Sequence, residues 1–124
     1  GITPGFGGTQ RLARLIPVGK AKEMLYAGTK VKAAEALSLG LVNAVYPSAE
    51  LMPAAEKLAG KIAANAPIAV RATKKAVNDG LQVDIDSAVA IEEKLFGSCF
   101  ETEDQRNAMN AFVAKEKPAP FVNR

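Results

Sequence analysis

The sequence contains no histidine, no tryptophan and only one cysteine, and each gap closes off a class of chemistry. Without histidine there is no imidazole to serve as base in a nucleophilic triad or as ligand in a His-based metal site. Cys99 alone cannot form an internal disulfide, and its apolar neighbours suit a buried packing role better than a reactive thiolate. Aromatic residues make up 6% of the chain, so a core must rest on Ala, Leu, Val and Ile, as in close-packed helices. No apolar run approaches the roughly 20 residues of a membrane span, and no secretory signal pattern is present. These features predict a cytoplasmic, reducing setting with no membrane partner; the mitochondrial matrix stays open, because the chain does not start with Met.

What is present is a 124-residue chain with 48% hydrophobic residues and a net charge of +3. A chain of this length folding alone is expected to bury roughly two-thirds of its unfolded surface. The charge is too small to call for a nucleic-acid partner. It is unevenly spread, with Arg11, Arg14, Lys20, Lys22, Lys30 and Lys32 facing Glu23 alone in one stretch. That cluster fits either a solvated face or contact with an anionic ligand; it lacks the run of interleaved aromatics that base stacking uses.

Helix punctuation is frequent. Gln10 to Ile16 reads as a short helix capped by Thr9 and stopped by Pro17, Lys20 to Ala27 as one closed by Gly28, and Ala33 to Leu39 as one followed by Gly40. Val42 to Tyr46, β-branched and aromatic before Pro47, reads as a strand. From Ser48 the pattern is helical: Ser48 to about Asn65 with Pro53 near its first turn, Pro67 to Gly80, a longer helix capped by Asp84 or Asp86, and a last one. That last helix is opened by the capping box Thr102-Glu103-Asp104-Gln105 and runs to about Lys115. Pro118 to Arg124 reads as a loose tail.

The chain opens with four glycines and a proline within eight residues. Glycine reaches positive φ and lets other groups approach the backbone, so Gly5, Gly7 and Gly8 suit a tight turn beside a ligand. Taken alone, the spacing fits an ordinary loop-to-helix turn as well. The wording Pro4-Gly5-Phe6-Gly7-Gly8-Thr9-Gln10-Arg11-Leu12, however, closely resembles the loop after the catalytic glutamate of enoyl-CoA hydratases in the crotonase family. Glu35 to Asn43 is similar to the family's A-x-x-G-L-V segment, and Phe96 to Phe112 to its C-terminal F-x-T-x-D stretch. The three motifs occur in family order along the whole chain.

The resemblance implies a mostly α chain, the C-terminal helical part of an α/β crotonase-like fold with one or two short strands. Residues 1–47 would end the core and residues 48–124 would form a helical assembly region. It implies that both catalytic glutamates, and the two N–H groups that hold the thioester oxygen, lie before Gly1. What remains is the backbone N–H of Gly5, which would help position the reacting water, with Pro4 shaping the turn. Phe96 and Phe112 match positions lining the acyl or CoA channel, and Lys115 one near the CoA phosphates. As bare residue types, the two phenylalanines fit core packing and the lysine a solvated helix end.

The function so implied is reversible addition of water to a 2-enoyl-CoA, with acyl-CoA as substrate, no cofactor or metal, and a trimer or dimer of trimers. Glu23, Glu35, Glu50, Glu56, Glu92 and Glu93 fall at ordinary solvated helix positions and are not expected to do the chemistry. Two rival readings stand beside it. An isomerase of the same family would keep one carboxylate, although Gly7 to Leu12 favours the hydratase side. A non-catalytic assembly and CoA-binding module would use the same helices without turnover.

Overall fold

A computed structural model describes every residue from Gly1 to Arg124. Seven α-helices hold 65% of the chain: α1 (Gly8–Leu15), α2 (Val18–Ala27), α3 (Ala33–Ser38), α4 (Ser48–Ala63), α5 (Pro67–Gly80), α6 (Ile85–Cys99) and α7 (Glu103–Ala114). Two compact units divide the chain, Gly1–Ala54 and Ala55–Arg124. The division falls just beyond Pro53, which lies inside α4 rather than in its first turn. Lacking an N–H, Pro53 leaves the carbonyl four residues earlier without its helical donor.

In the first unit, glycines end the helices as their sequence positions predict. Gly28 closes α2 at φ 63°, and Gly40 follows α3 at φ 75°. At the end of α3 the N–H of Leu41 donates to Ala36 O at 2.9 Å and that of Gly40 to Leu37 O at 3.0 Å, the paired bonds of a Schellman cap. Ile16, Ala21 and Ala36 form the buried apolar centre. Lys20 on α2 bridges Glu23 Oε1 at 2.8 Å and Glu35 Oε1 on α3 at 3.1 Å, which raises its pKa above the ordinary lysine value, Glu23 contributing most.

The strand expected at Val42 to Tyr46 does not form, and the chain contains no strand. A β-branched run lowers the cost of extended backbone, but a strand exists only where a neighbouring backbone accepts its ladder, and none lies alongside.

In the second unit, α5 starts at Pro67 as expected, and Leu81–Asp84 returns the chain so that α6 packs on α5. The approach is close where Gly80 meets α6: a Cβ there would lie 3.3 Å from Ala88 Cβ. Asp84, not Asp86, caps α6 by accepting from the Ser87 N–H at 3.0 Å and the Ser87 hydroxyl at 2.7 Å. Thr102 caps α7 by accepting from Gln105 N–H at 3.1 Å.

The tail is anchored, not loose. Asp104, 2% exposed, accepts from the N–H groups of Val122 at 2.7 Å and Asn123 at 2.9 Å, while its own N–H donates to Arg124 O at 3.0 Å. Arg71 Nη2 donates to Asn123 Oδ1 at 2.7 Å, and Arg124 Nε to Glu103 Oε2 at 2.9 Å. These contacts join residues far apart in sequence, so a local reading of Pro118 to Arg124 could not show them.

The chain exposes 9905 Å². A compact monomer of its mass exposes about 6,300 Å² and its unfolded form about 19,000 Å². Burial therefore reaches only about half, short of the expected two-thirds, and most large apolar side chains stay open to solvent.

Candidate functional site

The glycine-rich segment forms a tight turn leading into α1. Gly8 N–H donates to Gly5 O at 2.9 Å, and the two central residues, Phe6 and Gly7, have φ values of 54° and 75°. Two successive positive φ angles mark a mirror-image turn. Gly7 adopts this backbone freely, whereas Phe6 is strained by about 1–2 kcal/mol. Positive φ was expected at Gly5, but Gly5 is not among the left-handed residues, and a Cβ there would meet nothing within 4 Å.

What offsets the strain at Phe6 comes from inside α1. Arg11 Nη2 donates to Phe6 O at 2.8 Å, and its side chain crosses Gly7 so closely that a Cβ there would lie 3.5 Å from Arg11 Nε. A hydrogen bond from a charged donor stabilises by about 1.5–3 kcal/mol when shielded, and the exposure of Arg11 moves it to the low end. Thr9 does not cap α1. Gly7 occupies the N-cap with no side-chain hydrogen bond, and Thr9 lies within the helix, its hydroxyl accepting from Gln10 Nε2 at 3.3 Å.

This turn leaves the N–H groups of Gly5, Phe6 and Gly7 without a protein acceptor, open to solvent at the positive end of the helix. Pro4 is exposed beside it and approaches Gly8, where a Cβ would lie 3.5 Å from Pro4 Cβ. The Phe6 ring is fully exposed.

The remaining candidate residues belong to the second unit and fall in two places. Phe96, 65% exposed, stacks edge-on against Phe100 at 5.1 Å and lines a groove of about 700 Å³ between α5 and α6 with Ala69, Val77, Val89 and Glu92. Cys99 is half-buried at the groove's end and donates to Leu95 O. Phe112, 79% exposed, and Lys115 come together at the end of α7, where Lys115 N–H donates to Phe112 O at 3.1 Å. Lys115 caps that helix at φ 58°, a left-handed position usually given to glycine.

The first unit thus presents open backbone donors, and the second exposed aromatic faces and a helix-end cation. Of the carboxylates, Glu23 and Glu35 are engaged by Lys20, and Glu92 lines the groove between α5 and α6. No group of three or more His, Cys, Asp or Glu side chains converges as for a metal ion, and no helix is long and apolar enough to cross a membrane. Sequence reading places Arg11 in a basic cluster and Asp104 in a capping box, and gives neither its observed hydrogen-bonding role. For Arg11 the one available signal was a long cationic side chain four residues after Gly7 in a glycine-rich turn.

The sequence model of the enoyl-CoA hydratase/isomerase family matches residues 1–122. The chain belongs to this family. It is 54% identical over all 124 residues to a short-chain-enoyl-CoA hydratase of Clostridium acetobutylicum, covering 48% of that protein. It is 50% identical over the same span to a crotonyl-CoA hydratase of Syntrophomonas wolfei, covering 47%. Among solved structures, the enoyl-CoA hydratase of Bacillus anthracis superimposes with a TM-score of 0.93 at 42% identity, over 99% of this chain and 47% of that one. The chain thus spans about half the length of the relatives it matches, and in the solved crotonase folds the matched part is the C-terminal half. Membership of the enoyl-CoA hydratase/isomerase family accounts for the motif order along the whole chain.

Proposed function

We propose that this chain supplies the C-terminal half of an enoyl-CoA hydratase, a hydro-lyase that adds water reversibly across the 2,3-double bond of a 2-enoyl-CoA. The observation that carries this reading is the match, along all of this chain, to about half of two relatives named as short-chain-enoyl-CoA hydratase and crotonyl-CoA hydratase. The open N–H of Gly5 supports it, because a donor with no internal partner can hold the oxygen of a reacting water. Addition of water places negative charge on the thioester oxygen and requires carboxylates to handle the protons of water and of the substrate α-carbon. Those groups would come from chain preceding Gly1. This half contributes the water-positioning turn at Pro4 and Gly5, aromatic walls from Phe96 and Phe112, and the Lys115 ammonium toward the CoA phosphates. The reaction draws on no redox cofactor or metal, and we place it in the cytoplasm.

The large uncovered apolar surface supports a homo-oligomer, either a trimer or a dimer of trimers, as the working form. It equally suits the reading of the chain as an assembly module without catalysis. Turnover separates the two. Joining Gly1–Arg124 to the N-terminal half of the Clostridium acetobutylicum relative should give a chimera that hydrates crotonyl-CoA within about tenfold of the parent rate, followed by loss of enoyl absorbance. The 124 residues alone should show no activity above background. A folded chimera that shifts double bonds without adding water would favour the isomerase, and one with neither activity the assembly module.

A further inference from the structure

We propose that Arg11 is a positioning residue for the water-binding turn, holding the Gly5 N–H in place through its bond to Phe6 O; the catalytic part of this proposal rests on the hydratase reading. Three observations converge on it. Phe6 has an unfavourable left-handed backbone and a fully exposed ring, so packing of its side chain cannot hold it there. The N-cap position of α1 has no side-chain hydrogen bond, so the usual device for fixing a loop against a helix start is absent. Arg11 Nη2 is the one side-chain donor reaching the turn, at 2.8 Å from Phe6 O, and its stem passes over Gly7. A backbone donor positions water only while its peptide plane is fixed. The Phe6 carbonyl lies one peptide from the plane that carries the Phe6 N–H and two from that of Gly5, so the guanidinium limits rotation through the turn. Arg11 thereby acts at a distance, touching neither the water nor the thioester.

The geometry also sets what can replace it. A lysine carries the charge but presents a point donor instead of a planar fork, and methionine keeps the length without any donor. In the chimera, Arg11→Met should lower kcat about tenfold, with KM within about threefold and a melting temperature lowered by no more than about 4 °C, while Arg11→Lys recovers part of the loss. In the chimera with the Gly1–Arg124 part isotope-labelled, nuclear magnetic resonance should show Arg11→Met shifting the amide signals of Gly5, Phe6 and Gly7, with those of α2 unmoved. A rise in KM at constant kcat would overturn the proposal, since Arg11 would then be a ligand-contacting charge. Unmoved Gly5 to Gly7 signals would overturn it too, whatever the chimera does. If the unsubstituted chimera hydrates nothing, the hydratase reading fails by itself, and the amide signals still decide whether Arg11 holds the turn.

Discussion

The glycine turn of the first unit and the C-terminal tail of the second are both tied to the first turn of a helix, and they are tied by opposite chemistry. At α1 an exposed guanidinium reaches back to a loop carbonyl, leaving the loop N–H groups without acceptors. At α7 a buried carboxylate takes the N–H groups of Val122 and Asn123, and the tail keeps none of those donors free. Fixing a loop through its carbonyls preserves its donors for a ligand, whereas fixing it through its N–H groups removes them from use. The first arrangement suits a binding element and the second a structural one.

The largest effect should come from breaking the structural side. Asp104→Ala leaves two N–H groups without their carboxylate and should cost about 3 kcal/mol, read as a lowered urea midpoint, with accelerated hydrogen exchange at Val122 and Asn123. Retained slow exchange at those amides would show that Arg71 and Arg124 hold the tail without it. Within the glycine turn, neighbouring positions should separate strain from function. Gly7→Val, at φ 75°, should cost about 1–2 kcal/mol in stability. Gly5→Val has ordinary φ and an open Cβ position, so it should leave stability within about 0.5 kcal/mol. In the chimera it should nonetheless reduce kcat about a hundredfold by crowding the water. Equal melting losses for the two variants would erase the distinction.

The smallest effect concerns a third helix start, where the acceptor is exposed. The Ser87 N–H and hydroxyl hold the Asp84 carboxyl below its ordinary value of 3.8. Its stabilising contribution is therefore complete above pH 3.8 and fades as pH falls through the lower folded value. The first-turn amides of α6 should lose exchange protection over that acid range, and Asp84→Ala should remove the dependence. Protection that is flat with pH would assign the helix start to packing alone.

Legibility in the sequence followed the range of the interaction. Helix ends set by one residue's own backbone preference, Gly28, Gly40 and Pro67, and the cap at Thr102, were readable where they stand. Two of the failures share a cause: they depended on a second segment. Val42 to Tyr46 has strand-forming residues but no neighbouring strand, and the tail has loop-like residues but a distant carboxylate. The candidate site was legible through motif wording more than through physics. That wording points to Gly5, whereas glycine's backbone freedom points to Gly5, Gly7 and Gly8 alike; the positive φ values fall at Phe6 and Gly7.

The Asp104 anchor turns a chain end into a loop. Val122 lies eighteen positions beyond Asp104, and the backbone contact closes this span without a cross-link. Closure entropy grows only with the logarithm of length, so doubling such a span costs about 0.6 kcal/mol. Insertions between Lys117 and Pro120 should thus be tolerated far better than any change that withdraws the backbone of the last three residues.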